Sequence, residues 1–118
     1  KVDAQEHVIG RTKLESIELD DDVKPENAHI ARAVIEDDEG EELEILRHSL
    51  PYGDGQGEQG LFFIAYTKDL TRIDKMLVRM FGTSGDGIHD RLLHFVTAVD
   101  GAYFFAPSEE VLEEVLDK

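Results

Sequence analysis

Two short aliphatic runs constrain the fold of this chain more than any other feature. Residues 30–35 and 43–50 are rich in β-branched and aliphatic side chains, and the turn-forming Asp37-Asp38-Glu39-Gly40 lies between them. That arrangement predicts a β-hairpin. A third run at residues 61–67, with Phe62, Phe63 and Tyr66, reads as a buried strand. Helical signals surround these runs. Residues 2–9 can finish a helix, with Gly10 where a left-handed C′ residue is expected. Residues 14–22 are acidic and irregular, and Pro25 rules out a continuous helix through them. From Thr71 onward Ile73, Met76, Leu77 and Met80 recur at three- and four-residue steps, an apolar stripe that Asp69 or Thr71 could cap and Gly82 could close. Residues 90–99 read as helix and 102–106 as a short strand. Ser108 with Glu109 or Glu110 opens a last amphipathic helix carrying Val111, Leu112, Val115 and Leu116. Strands interleaved with helices and joined by hairpins predict an α+β fold, an antiparallel sheet with helices on one face.

Composition narrows the function classes. The net charge of −15 argues against nucleic acid and anionic membranes, because phosphate binding needs clustered Lys and Arg. With no cysteine, disulfides, thiolate zinc sites, iron–sulfur clusters and a cysteine nucleophile are all excluded, and a cytoplasmic location is compatible. The apolar runs are too short to span a bilayer, and no charged-then-apolar leader opens the sequence. Length and the absence of a repeat or a low-complexity linker predict a single domain over residues 1–118. The opening, in what reads as the end of a helix, suits a piece of a longer protein.

Several residues could carry chemistry, each with an ordinary alternative. His29 offers an imidazole, the commonest axial donor to haem iron, or is a surface histidine after a loop. Asp90 could orient such a ligand from behind, or simply cap a helix. Arg47 could stabilise developing negative charge, or face water from an edge strand. Ser49 shares its strand face by alternation. Arg11 could hold a carboxylate with its planar fork, or complement a helix C-terminus. Phe62, Phe63, Ile64 and Leu93 fit either an apolar ligand cavity or a core. Gly55-Gln56-Gly57-Glu58-Gln59-Gly60 matches a dinucleotide-binding pattern but leads into a predicted strand rather than a helix, so a loop is expected. The carboxylates of residues 36–42 lack EF-hand spacing, and His7, His48, His89 and His94 lack zinc-ligand spacing.

Four strings together carry a family resemblance: Gly10-Arg11-Thr12, Asn27-Ala28-His29-Ile30-Ala31-Arg32, Ile45-Leu46-Arg47-His48-Ser49-Leu50-Pro51-Tyr52-Gly53 and Asp90-Arg91-Leu92-Leu93-His94-Phe95. In this order and at these separations, over nearly the whole chain, they resemble the haem pocket of the DyP-type (dye-decolourising) peroxidases. The resemblance implies most of the second of two ferredoxin-like domains, of the dimeric α+β barrel type. It implies haem b as cofactor, hydrogen peroxide and a dye, phenol or similar organic reductant as substrates, and a homo-oligomer. It casts His29 as iron ligand, Asp90 as the partner of His29, Arg47 as the residue assisting O–O cleavage, Ser49 as a hydrogen-bonding neighbour, Arg11 as a propionate anchor, and Phe63 as part of the cavity. The family's distal aspartate, in an Asp-Gly-Thr-Glu-Asn-like string, is not among these residues. Two alternatives stay open: a haem carrier without turnover, and a non-catalytic ferredoxin-like interaction module. A hairpin turning at Asp38-Glu39 would put His29 nearly opposite Arg47, only about 5 Å away. The regular hairpin is therefore expected to begin after His29, leaving the histidine in the connection that follows Pro25.

Overall fold

The computed structural model describes residues 1–117. Helix α1 (Val2–Ile9) ends as its sequence predicts: Gly10 is left-handed at φ 87°, and its N–H donates to Glu6 O. A side chain at Gly10 would overlap Ile30 Cγ2, so the end of α1 lies directly on the next helix.

That helix, α2 (His29–Ala33), stands where the sequence predicts the first hairpin strand. The expected pairing of residues 30–35 with residues 43–50 does not form; a single bridge, Glu36 to Glu42, closes the acidic turn. A short apolar run cannot distinguish a strand from a buried helical turn by its pattern. Here alanines at 28, 31 and 33 favour helix, and the run buries Arg32 and Ala33 beside the helix over Thr71–Met80. His29 is consequently the first residue of α2, not part of a connection.

The hairpin lies further along the chain. Strand β1 (Leu46–Tyr52) pairs antiparallel with β2 (Gly60–Tyr66), from Leu46 opposite Tyr66 to Tyr52 opposite Gly60. Pro51 is tolerated because each strand of a two-stranded sheet keeps an open edge. The Tyr52 ring covers Gly60, leaving no room for a side chain there. The glycine-rich stretch is thus a hairpin loop opening a strand, as predicted. Arg47 pairs with Ala65 and not with His29, which removes the conflict between those two residues.

Helix α3 (Thr71–Met80) matches its predicted stripe, and Asp69 Oδ1 accepts the Thr71 N–H at 2.9 Å. Of residues 90–99, only Arg91–His94 is helical, and as a 3-10 turn. Asp90 ends the preceding loop by accepting the Leu92 N–H, which favours the tight i→i+3 pattern seen in Phe95 N–H to Leu92 O. Residues 102–106 form no strand, having no neighbouring strand to pair with among the described residues. Helix α4 (Glu109–Leu116) begins as predicted, with Ser108 Oγ accepting from Val111 N–H.

The α+β class expected from the sequence holds, but the core is small. Val8, Ala28, Ala33 and Ile35 are the buried apolar residues, all in or beside α1 and α2. Strand β2, expected to be buried, is half open: Phe62 is 59% and Phe63 54% exposed. The radius of gyration is 17.2 Å, against about 13.5 Å for a compact chain of this length. The hairpin contributes to that expansion, since β1 and β2 pack chiefly on each other.

Candidate functional site

The site begins with the bond that joins α2 to the loop after α3. His29 Nδ1–H donates to Asp90 Oδ2 at 2.6 Å, across 61 residues of sequence. Asp90 is fully buried and its carboxylate is used on both oxygens, because Oδ1 accepts the Leu92 N–H at 2.8 Å. Its backbone is held as well: Asp90 N–H donates to Met80 O, and the next residue's N–H donates to Asn27 O, just before α2. A carboxylate fixed this firmly sets the ring orientation and keeps the proton on Nδ1, leaving Nε2 with a free lone pair. Among the described residues nothing hydrogen-bonds that second nitrogen. Asp90 therefore serves both of the roles weighed from sequence, cap and histidine partner.

His29 lines an open cavity of about 430 Å³ together with Arg11, Glu18, Ala33, Arg47 and Met76. A volume of that order suits a small molecule or cofactor. Arg47 stands at the start of β1 and is exposed, and Arg11 comes from the turn after α1. One Arg11 N–H is committed to Ser16 O, which leaves the rest of its fork for another acceptor. Ser49 and Phe63 are directly opposed across the hairpin, and alternation places both on the sheet face that carries Arg47. Neither is among the residues that line the cavity.

The donor set suits a haem. It combines one oriented imidazole and two cavity arginines that match carboxylates, and the described residues contain no group of three His, Cys, Asp or Glu able to hold a metal ion. His89 and His94 hydrogen-bond to each other, Nε2 to Nε2 at 2.6 Å, and His7 Nδ1 donates within α1 to Asp3 O.

Comparison with known proteins agrees with this chemistry. The family model described as Dyp-type peroxidase, C-terminal, matches residues 1–111. The chain belongs to the DyP-type peroxidase family. It is 51% identical over 114 residues to the dye-decolorizing peroxidase of Mycolicibacterium paratuberculosis, covering 96% of this chain and 32% of the relative. Among solved structures, a dye-decolorizing protein from V. cholerae is 50% identical with a TM-score of 0.86, over 97% of this chain and 37% of that one. A variant of Rhodococcus jostii DypB in complex with heme is 48% identical with a TM-score of 0.88, over 96% and 37%. The chain thus has the ferredoxin-like α+β fold of DyP-type peroxidases while spanning about a third of the length of the curated relatives it matches.

Sequence reasoning missed Arg32, which is 4% exposed and donates to Asp86 Oδ2 at 2.8 Å. Its spacing of three from His29 was the available signal: the two share one side of a helix, but not of the strand the sequence predicted there. The Asp86 carboxyl is lowered to about 2, chiefly by the Ile88 N–H it accepts and then by the Arg32 guanidinium. A carboxyl lowered on folding stabilises the fold above its ordinary value of 3.8, and that stabilisation is lost as pH falls toward about 2. Melting temperatures measured from about pH 5 to about pH 2 should show a smaller acid-induced drop in Asp86→Asn than in the parent, with the difference confined to that window.

Proposed function

We propose that this chain is a single haem-binding domain, residues 1–118, of a peroxidase that reduces hydrogen peroxide while oxidising dyes, phenols or similar organic reductants. The observation that carries the reading is the buried Asp90 carboxylate accepting from His29 Nδ1, beside a cavity that His29 shares with Arg11 and Arg47. His29 Nε2 would hold the iron and Arg11 a propionate; when bound, haem supplies the redox centre at which peroxide is reduced. Asp90 keeps the Nδ1 proton in place and makes the opposite nitrogen the stronger donor. Arg47 would bring a positive charge to the cavity, where it would stabilise negative charge developing on a bound peroxide. Ser49 is assigned a hydrogen bond to a small ligand, and Phe63 an apolar wall. A cytoplasmic location accords with the lack of cysteine, and homo-oligomerisation accords with the open apolar faces of the hairpin. No helix is long and apolar enough to cross a membrane among the described residues.

Haemin titration of the chain beside His29→Ala tests ligation. A sharpened Soret band in the parent, lost in the variant, is expected; equal spectra would remove His29 as the ligand. A haem carrier using the same pocket is the second reading. Peroxide-dependent dye oxidation by the protein separates the two. Arg47→Ala should lower kcat by about 10²-fold while the Soret band persists, whereas a carrier shows no turnover to lose.

A further inference from the structure

Arg32 is the one buried cation among the described residues, and nothing in the peroxidase chemistry above uses it. Its Nε and one terminal nitrogen both donate to Arg79 O, at 3.2 and 3.1 Å, and that terminal nitrogen also reaches Ser84 Oγ and Asp86 Oδ2. Burying a guanidinium is costly unless it is fully partnered, so this set of acceptors defines where α2 can sit. Arg79 returns the contact from α3, donating to Ala31 O at 2.7 Å and Val34 O at 2.8 Å, carbonyls at the end of α2. Each arginine therefore closes the C-terminal end of the other's helix.

The exchange matters because α2 has only five residues. Helices that short do not hold themselves in water, so the direction of His29 depends on what grips α2. His29 and Arg32 project from the same side of α2, three residues and about 4.5 Å apart along its axis. Their carboxylate partners, Asp90 and Asp86, lie four residues apart on one loop. One attachment would let the loop pivot about His29, and two fix its register.

We infer that Arg32 is a positioning residue for His29: its pairing with Asp86 and its forked contact with Arg79 O lock α2 against the loop so that Asp90 accepts the hydrogen bond from His29 Nδ1. The role in catalysis rests on the proposed ligation by His29, but the geometry it controls can be read without haem. In the purified, haem-free chain labelled with ¹⁵N-histidine, the His29 Nδ1 proton should give a downfield signal protected from exchange with water. Arg32→Gln should speed that exchange about tenfold, and after haemin loading should speed haemin loss about tenfold, as weakened support of a ligand does. Arg32→Lys, which keeps the charge and loses the fork, should recover part of both. Val8→Ala, a core truncation on α1 that removes none of the hydrogen bonds made by Arg32, should lower the melting temperature and move both readouts by less than Arg32→Gln does. Should Arg32→Gln fail to fold, Asp86→Asn removes the pair from its exposed side and should shift the exchange in the same direction by less. Unchanged exchange in the folded Arg32 or Asp86 variants, or an equal change in Val8→Ala, would overturn the inference. A His29→Ala chain that kept the parent haemin spectrum would instead overturn ligation and leave the proton measurement standing.

Discussion

Asp90→Asn should fold and yet bind haemin about 10–100-fold more weakly than the parent. The amide can keep the turn, because its oxygen replaces Oδ1 as acceptor for the Leu92 N–H. Its NH₂ group then stands where Oδ2 accepted from His29, and an NH₂ can only donate. His29 Nδ1 becomes the acceptor, the ring proton moves to Nε2, and the lone pair needed for iron is consumed. Asp90→Ala should behave differently: it strands two donors in a fully buried place and should destabilise the chain by about 3 kcal/mol. A haemin titration with circular dichroism on the same samples distinguishes the two outcomes. If Asp90→Asn bound haemin like the parent, the carboxylate would be no more than a helix cap.

Ile35→Ala should cost about 3 kcal/mol, while Phe104→Ala should change stability by no more than about 0.5 kcal/mol. The larger side chain matters less because Phe104 is 89% exposed and Ile35 only 3%. Ordinary domains have only about 5–15 kcal/mol of net stability, and a chain with four buried apolar residues among those described should fall at the low end. Ile35→Ala is therefore expected to leave a large unfolded fraction near body temperature. Urea unfolding followed by circular dichroism measures both variants, and an effect of Phe104→Ala as large as that of Ile35→Ala would contradict the burial pattern.

Phe104 also shows how far the sequence could be read. Local signals were reliable where a helix carries its own ends: Gly10 after α1, Asp69 before α3 and Ser108 before α4 each stand where they were expected. Strands depend on partners, and there the reading failed. Residues 102–106 look like a strand but have none to pair with among the described residues, and residues 30–35 look like a hairpin arm but are claimed by α3. At the site, His29, Arg11 and Arg47 were legible from their strings and do share one cavity. Asp90 was legible only as one of two roles, because whether its carboxylate is buried depends on packing across the chain. Arg32 was hidden by the mistaken hairpin, since its alignment with His29 exists only on a helix.

The bond from His29 to Asp90 joins positions 61 residues apart, and neither partner can find the other through local structure. Closing so wide a loop has an entropic cost that is recovered only when α2, α3 and the segment between them have docked. In the order of events during synthesis, the histidine emerges well before the carboxylate that fixes its tautomer. A growing chain therefore has the histidine long before it has the carboxylate that orients it. Under the proposed ligation by His29, capture of iron porphyrin would wait until Asp90 has been made and docked, and uptake of the cofactor would report a chain already closed on itself.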